Sequence, residues 1–294
     1  LATGTIRTKD GVELFYRLRP IEQAGAVALV VHGFAEHSGR YGHVFDWLGR
    51  RGFNVLGFDL RGHGYSKGRR GHIDSFEQYV NDVDAAVLFA RRKFPGERLF
   101  LVGHSMGGLI ALHYAHQHRE HIDGLVVSSP FLGFRIHVPA WKRALATLMS
   151  WIVPNFKLPN EIVANDLTHD KSKVMEYAQD NLIFHHACAR WYRSIVVAQK
   201  KAGRFAGELD LPMLFQLAGD DRIVDSEASR KYFQKCVSPD RTLEEYAGFL
   251  HEIYNEVERE RPLEDMSRWL VAHMKERINA TDPHRYAERR SESP

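Results

Sequence analysis

Apolar residues along this chain fall into short continuous runs, separated by longer stretches where they recur every three or four positions. Ala26-Val27-Ala28-Leu29-Val30-Val31, Leu99-Phe100-Leu101-Val102, Gly124-Leu125-Val126-Val127-Ser128 and Leu211-Pro212-Met213-Leu214-Phe215-Gln216-Leu217 are such runs. Runs this short and this uniformly apolar read as strands covered on both faces, as in a parallel sheet between helices. Further strands are predicted near residues 3–8, 12–18 and 54–58, and Thr242-Leu243-Glu244-Glu245-Tyr246 alternates as a strand does. Amphipathic helices are predicted near 43–51 and 76–93. The pattern is that of an α/β protein with a mostly parallel central sheet flanked by helices.

The strand–helix rhythm stops after Pro130 and resumes at residue 211. Residues 131–208 are helical in tone, rich in aromatics and punctuated by Pro139, Pro154 and Pro159. They read as a cap inserted into a core formed by residues 1–130 and 209–280, with 281–294 a polar tail. At the start of the cap Trp141, Leu145, Leu148, Met149 and Ile152 recur at helical spacing, with Lys142 and Arg143 alongside. That stripe either packs on the core and roofs a pocket or forms a patch for peripheral contact with a membrane or micelle. Either way the pocket beneath is expected to be apolar.

The 294 residues, 44% of them hydrophobic, suffice for one large core plus a modest insertion. A net charge of +3, spread along the chain, gives no footprint for nucleic acid. Cys188 and Cys236 cannot make a disulfide framework and suit a reducing compartment. Leu1-Ala2-Thr3-Gly4-Thr5 shows no basic-then-apolar leader, and no apolar run approaches the roughly 20 residues that span a bilayer. The expected location is cytoplasmic or peripheral at a membrane. Oligomeric state is not legible.

Chemistry concentrates at Gly103-His104-Ser105-Met106-Gly107. The stretch fits G-x-S-x-G, follows an apolar strand and opens a helix, the setting of a nucleophile elbow. Glycines let strand and helix approach, and the serine hydroxyl is held at the positive end of the helix. A serine needs a histidine base and an acid to orient it, following in the order acid, then histidine. The strand ending near 217 delivers Asp220, Asp221 and Asp225, and the next one runs through Ala247-Gly248-Phe249-Leu250 to His251, before a helix expected to open at Glu252. One oxyanion donor is the backbone N–H of Met106, and the other comes from the loop after the 26–31 strand. His113, His116, His118 and His121 crowd one helix and its end without H-E-x-x-H spacing, and read as a solvated face. His185-His186 before Cys188 read the same way. No metal and no cofactor is expected.

His32-Gly33-Phe34-Ala35-Glu36-His37-Ser38-Gly39-Arg40-Tyr41, Asp59-Leu60-Arg61-Gly62-His63-Gly64-Tyr65-Ser66, Gly103 to Gly108, Gly219 to Ser226 and Tyr246 to His251 together resemble the monoacylglycerol lipase and lysophospholipase group of the α/β-hydrolase superfamily. The resemblance implies an α/β-hydrolase core with an inserted helical cap. It implies a serine esterase acting on a fatty-acyl ester, with monoacylglycerol foremost and lysophospholipid, other carboxylic esters and thioesters as alternatives. It selects Asp221 as the catalytic acid beside Ser105 and His251, and assigns the second oxyanion amide to Phe34, where the group usually carries a smaller residue. It places Glu36, Arg40, His104 and Tyr177 at the alcohol end, although Glu36 and Arg40 also fit a loop-stiffening ion pair and Tyr177 ordinary packing. Tyr254 stands where some relatives have a histidine. A reading of another class, a hydrolase-fold sensor that binds without turnover, is opposed by the intact serine, acid and histidine positions.

Overall fold

The computed structural model describes residues 1–135 and 147–280, the last six by backbone alone. Ten strands are found there: β1 (Ala2–Arg7), β2 (Glu13–Arg19), β3 (Ala26–Val31), β4 (Phe53–Phe58), β5 (Arg98–His104), β6 (Gly124–Ser128), β7 (Lys157–Pro159), β8 (His186–Cys188), β9 (Met213–Ala218) and β10 (Arg241–Tyr246). The helices are α1 (Gly42–Gly49), α2 (Glu77–Lys93), α3 (Met106–Gln117), α4 (residues 147–152), α5 (Lys171–Gln179), α6 (Ala189–Phe205), α7 (Ser226–Lys235) and α8 (Glu260–Ala280).

Eight strands form one sheet in the order β1-β2-β4-β3-β5-β6-β9-β10. From β4 to β10 neighbouring strands run parallel, while β1 and β2 are antiparallel at one edge. The apolar runs explain this layering. In β3, Val27, Leu29 and Val31 join the core on the side of α2 and α3, and Ala26, Ala28 and Val30 join the core on the side of α1 and α8. Leu99 and Leu101 of β5 face the first side, Phe100 and Val102 the second. A period of two thus supplies two cores at once. Each large side chain so buried contributes about 1.5–3 kcal/mol relative to exposure. The edge strand β10, covered less, carries charged residues that blunt pairing with another chain.

Between β6 and β9 the chain leaves the sheet. This segment is less purely helical than its composition suggests, because β7 and β8 pair antiparallel, Lys157 opposite Cys188. Of its buried α6 residues, Trp191, Ile195, Ala198, Ala202 and Phe205 join the core shared with α2 and α3. His113 of α3 approaches the Ala198 carbonyl of α6, Nε2 to oxygen 3.0 Å. That contact corrects the reading of His113 as solvated: it is buried, and burial holds its pKa down near 4. Leu148 and Ile152 are exposed, so that part of the helical stripe does not pack on the core. Trp141, Lys142, Arg143 and Leu145 lie outside the described residues, as does the tail from 281. After His251 the chain makes only a single 3-10 turn, Ile253–Asn255, and the helix expected at Glu252 begins at Glu260.

Candidate active site

Four loops at the C-terminal ends of β3, β5, β9 and β10 meet, where an open α/β sheet forms its crevice. Ser105 is the single residue between β5 and α3, at φ 53° and ψ −117°. A residue with a Cβ pays about 1–3 kcal/mol for such a conformation, so the surroundings must hold it. They do: its N–H donates to the Ser128 carbonyl at 2.9 Å, and its own carbonyl accepts from Leu109 (3.1 Å) and Phe131 (3.0 Å). Gly107 is dictated by contact, since a Cβ there would lie 2.2 Å from the Val31 carbonyl oxygen. A Cβ at Gly103 would lie 2.5 Å from the Gly107 carbonyl oxygen.

Asp221 and His251 come from the loops after β9 and β10. His251 Nδ1 lies 2.7 Å from Asp221 Oδ2, with both residues buried. The other carboxylate oxygen, Oδ1, accepts from the backbone N–H groups of Ile223 (2.8 Å) and Val224 (2.9 Å). Asp225, one of the three carboxylates in the loop, instead caps α7 through the amides of Glu227 and Ala228. Burial opposes protonation of His251, but the charge and hydrogen bond of Asp221 outweigh it and raise the histidine pKa. Burial likewise opposes ionisation of Asp221, and His251 with the two amides brings its pKa below the usual value. Ser105 is 8% exposed.

The loop after β3 passes beside the serine: a Cβ on Gly33 would be 3.2 Å from Ser105 Cβ. His32 fixes this loop, its Nε2 accepting from the Leu60 N–H (2.9 Å) and its Nδ1–H therefore donating to the Gly33 carbonyl (2.7 Å). The Gly33 N–H is engaged by Glu36 Oε1 at 2.6 Å, so the next amide along the loop is that of Phe34. Met106 opens α3, where the first N–H groups have no partner within the helix. The Phe34 ring meets Trp191 at 3.9 Å and Phe184 at 5.4 Å between centroids, which ties this loop to the segment between β6 and β9.

A charged set forms a second flank beside the same loop. Arg40 donates to Glu36 Oε2 at 2.8 Å and to both oxygens of Glu252 at 2.6 and 2.7 Å. Tyr41 adds its hydroxyl to Glu36 Oε1, and Asn255 donates to Glu252. The Arg40 guanidinium lies 5.1 Å from the Tyr177 ring centroid, and the buried Tyr177 hydroxyl has no partner. Burial raises the Glu252 pKa, but Arg40 more than offsets it and holds the carboxyl below the usual carboxylate range. His104 sits between this set and the histidine–aspartate pair, 4.8 Å from the His251 ring, its Nδ1 3.1 Å from Ser128 Oγ. Burial, with His251 adding to it, lowers its pKa to about 4. Tyr254 is buried and donates its hydroxyl to Gln216 Oε1 at 2.5 Å.

The structure therefore places Ser105, Asp221, His251, Phe34, Met106, Glu36, Arg40, His104 and Tyr177 in one linked group at the C-terminal edge of the sheet. Sequence reasoning missed Glu252, Trp191 and Phe184. Glu252 left one signal, a charged residue directly after the histidine. Among the described residues one set of potential metal ligands stands elsewhere, Asp84, His118 and His121, with ligand atoms within 4.8 Å of one another. Lys9 is 3.1 Å from Asp84 Oδ2 and Arg91 donates to the His121 carbonyl, which puts two cations beside it. We assign it no role.

The sheet, its flanking helices and a serine at the β5–α3 turn define an α/β-hydrolase, a serine ester hydrolase by class. The chain belongs to the family described as Serine aminopeptidase, S33, whose model matches residues 22–258. It is 30% identical over 266 residues to a monoacylglycerol lipase of Mycolicibacterium smegmatis, covering 90% of this chain and 95% of that one. To phospholipase YtpA of Bacillus subtilis it is 34% identical over 238 residues, 80% of this chain and 91% of the relative. The monoacylglycerol lipase of Paleococcus ferrophilus superposes with a TM-score of 0.82 at 32% identity, over 89% of this chain and 99% of that structure.

Proposed function

We propose that the protein hydrolyses monoacylglycerols through an acyl-enzyme formed on Ser105. The observation that carries this reading is the buried Asp221–His251 hydrogen bond beside the strained Ser105 turn. With Nδ1 held by Asp221, Nε2 is the His251 nitrogen left to act on the serine. It takes the Ser105 proton as Oγ attacks the ester carbonyl, and Asp221 stabilises the resulting imidazolium. The amides of Phe34 and Met106 hold the oxyanion, each worth about 3 kcal/mol in the transition state. The carbon–oxygen bond to the alcohol then breaks, and His251 protonates the departing oxygen. Water, deprotonated by the same histidine, attacks the acyl carbonyl and frees the fatty acid and the serine. The acyl chain lies toward Phe34, Trp191 and Phe184, and the alcohol toward Glu36, Arg40, His104 and Tyr177. Residues 131–208 act as a cap over both.

The test is a panel of monoacylglycerols, lysophospholipids and short aryl esters, with Ser105→Ala as blank and fluorophosphonate labelling of Ser105 alongside. Preference for long-chain monoacylglycerol is expected. Activity on short esters alone would overturn the lipid reading, and a folded protein that neither labels nor turns over would be a sensor.

For the membrane, the supporting feature is a cluster of exposed residues on and after α4. Leu148, Trp151, Ile152, Val153 and Phe156 are 41–66% exposed, and Arg193 lies 4.4 Å from the Trp151 ring centroid. Aromatic and aliphatic residues beside arginine suit a lipid headgroup boundary. Among the described residues no helix is long and apolar enough to cross a membrane. Co-sedimentation with phosphatidylglycerol vesicles, reduced in a Trp151→Ser/Ile152→Ser double variant, is expected. Equal sedimentation of both proteins would remove the cap from the contact.

A further inference from the structure

The alcohol flank buries two carboxylates against one guanidinium. Glu36 and Glu252 are 4% and 5% exposed, and Arg40 divides its donors between them. Glu36 accepts hydrogen bonds from Gly33, Arg40 and Tyr41, as suits a carboxylate. The set therefore carries a net charge of minus one, and Asp221 adds a second negative charge whenever His251 is neutral. Two further cations on this side are matched by acids, Arg259 by Asp170 at 3.1 Å and Lys173 by Glu176 at 2.7 Å. The set adjoins the reacting centre. Glu252 is bonded to His251, and Glu36 holds the amide of Gly33, whose α-carbon approaches Ser105.

Sites for phosphate or carboxylate are built the opposite way, with arginine forks open to the ligand. Here both nitrogens of the Arg40 fork are committed. What the flank offers an incoming alcohol is the field of two carboxylates and the unpartnered Tyr177 hydroxyl. Both suit neutral hydroxyl groups, and the surplus negative charge suits a cation.

We propose that Glu252, together with Glu36, makes the alcohol side of this site electronegative, so that the enzyme rejects esters whose alcohol carries a negative charge and accepts neutral polyols and cationic alcohols. Monoacylglycerols pass this filter and anionic lysophospholipids fail it. The inference rests on the alcohol lying at this flank.

The charge is tested apart from glycerol with phenyl, 4-carboxyphenyl and 4-(trimethylammonio)phenyl octanoate, each rate normalised to its hydroxide hydrolysis. At an effective dielectric constant of about 20 and a separation of about 6 Å, one surplus charge shifts kcat/KM by about 100-fold. The anionic ester is expected to be that much poorer than the neutral one, and the cationic ester at least as good. The gap should persist in about 0.5 M salt, since buried charges are weakly screened. Glu252→Gln should shrink the anionic-to-neutral gap by about tenfold or more, whatever it does to the common rate. Glu36→Gln should act in the same direction and serves if Glu252→Gln does not fold. Equal rates on the three esters, or a gap that a folded Gln variant leaves unchanged, would overturn the filter. Failure of the lipid reading looks different: the charge ranking holds but monoacylglycerol is not cleaved. A folded protein that cleaves none of the esters overturns both.

Discussion

The two flanks of Ser105 are built from opposite materials. Toward Phe34 the wall is aromatic, ring against ring with Trp191 and Phe184. Toward Arg40 it is ionic, with three buried charges and a tyrosine ring stacked on the cation. Apolar contact is graded and forgiving, because each lost methylene removes a similar increment. A buried charge set is nearly all-or-none, because removing one member strands the others without water. The aromatic flank can therefore drift in shape and stay packed, whereas the ionic flank must be kept whole or replaced together.

Substitutions can break this contrast. The largest effect falls at the junction: Ser105→Ala should lower kcat by about 10⁵-fold or more while the melting temperature does not fall, read by titrated turnover and calorimetry. Next is Arg40→Met, which leaves Glu36 and Glu252 facing each other. It should cost about 3–5 kcal/mol in urea unfolding, with part recovered by adding Glu252→Gln. A loss below about 1 kcal/mol would mean the flank is wetter than the contrast requires. Trp191→Ala should cost about 3 kcal/mol and flatten the preference for long over short acyl chains, with the alcohol preference unchanged.

The pH profile sharpens the junction itself. His251 must be neutral to take the serine proton, and Asp221 lifts its pKa above the ordinary 6.5, so the acid limb of kcat/KM should have its midpoint above that value. Asp221→Asn should move the limb to lower pH and drop the plateau. Stability should run the other way: the contribution of the raised histidine is full below its unfolded pKa and fades as pH rises through the folded one. A midpoint at or below 6.5 would show that burial, not Asp221, governs the histidine. The smallest effect is Tyr177→Phe. Its buried hydroxyl has no partner, so stability should not fall, and KM for glycerol esters should rise a few-fold, measured against an aryl ester control.

The sheet was legible because β3, β5, β6 and β9 are covered on both faces, which forces short continuous apolar runs bounded by turn residues. The serine turn was legible because close approach demands glycine at 103 and 107. Glu252 was not, because its meaning lies in pairing with Arg40, 212 positions away, and a lone glutamate announces no partner. Trp191 and Phe184 belong to a segment whose mixed composition reads as packing until Phe34 is seen against it. His113 was misread for the same reason: α6 covers its helix, and only the fold places α6 there. Choosing Asp221 over Asp225 took the resemblance at first. In the structure Asp225 is occupied at the start of α7, while Asp221 meets His251.

The positive φ of Ser105 has a consequence for how this protein changes over generations. Glycine occupies that region without strain, so Ser105→Gly should fold more firmly than the parent while catalysing nothing. Where cells need the protein's abundance but not its turnover, drift has a downhill path to a stable, inert copy. Where they need turnover, that path is closed at every generation by selection against a variant that would otherwise be an improvement.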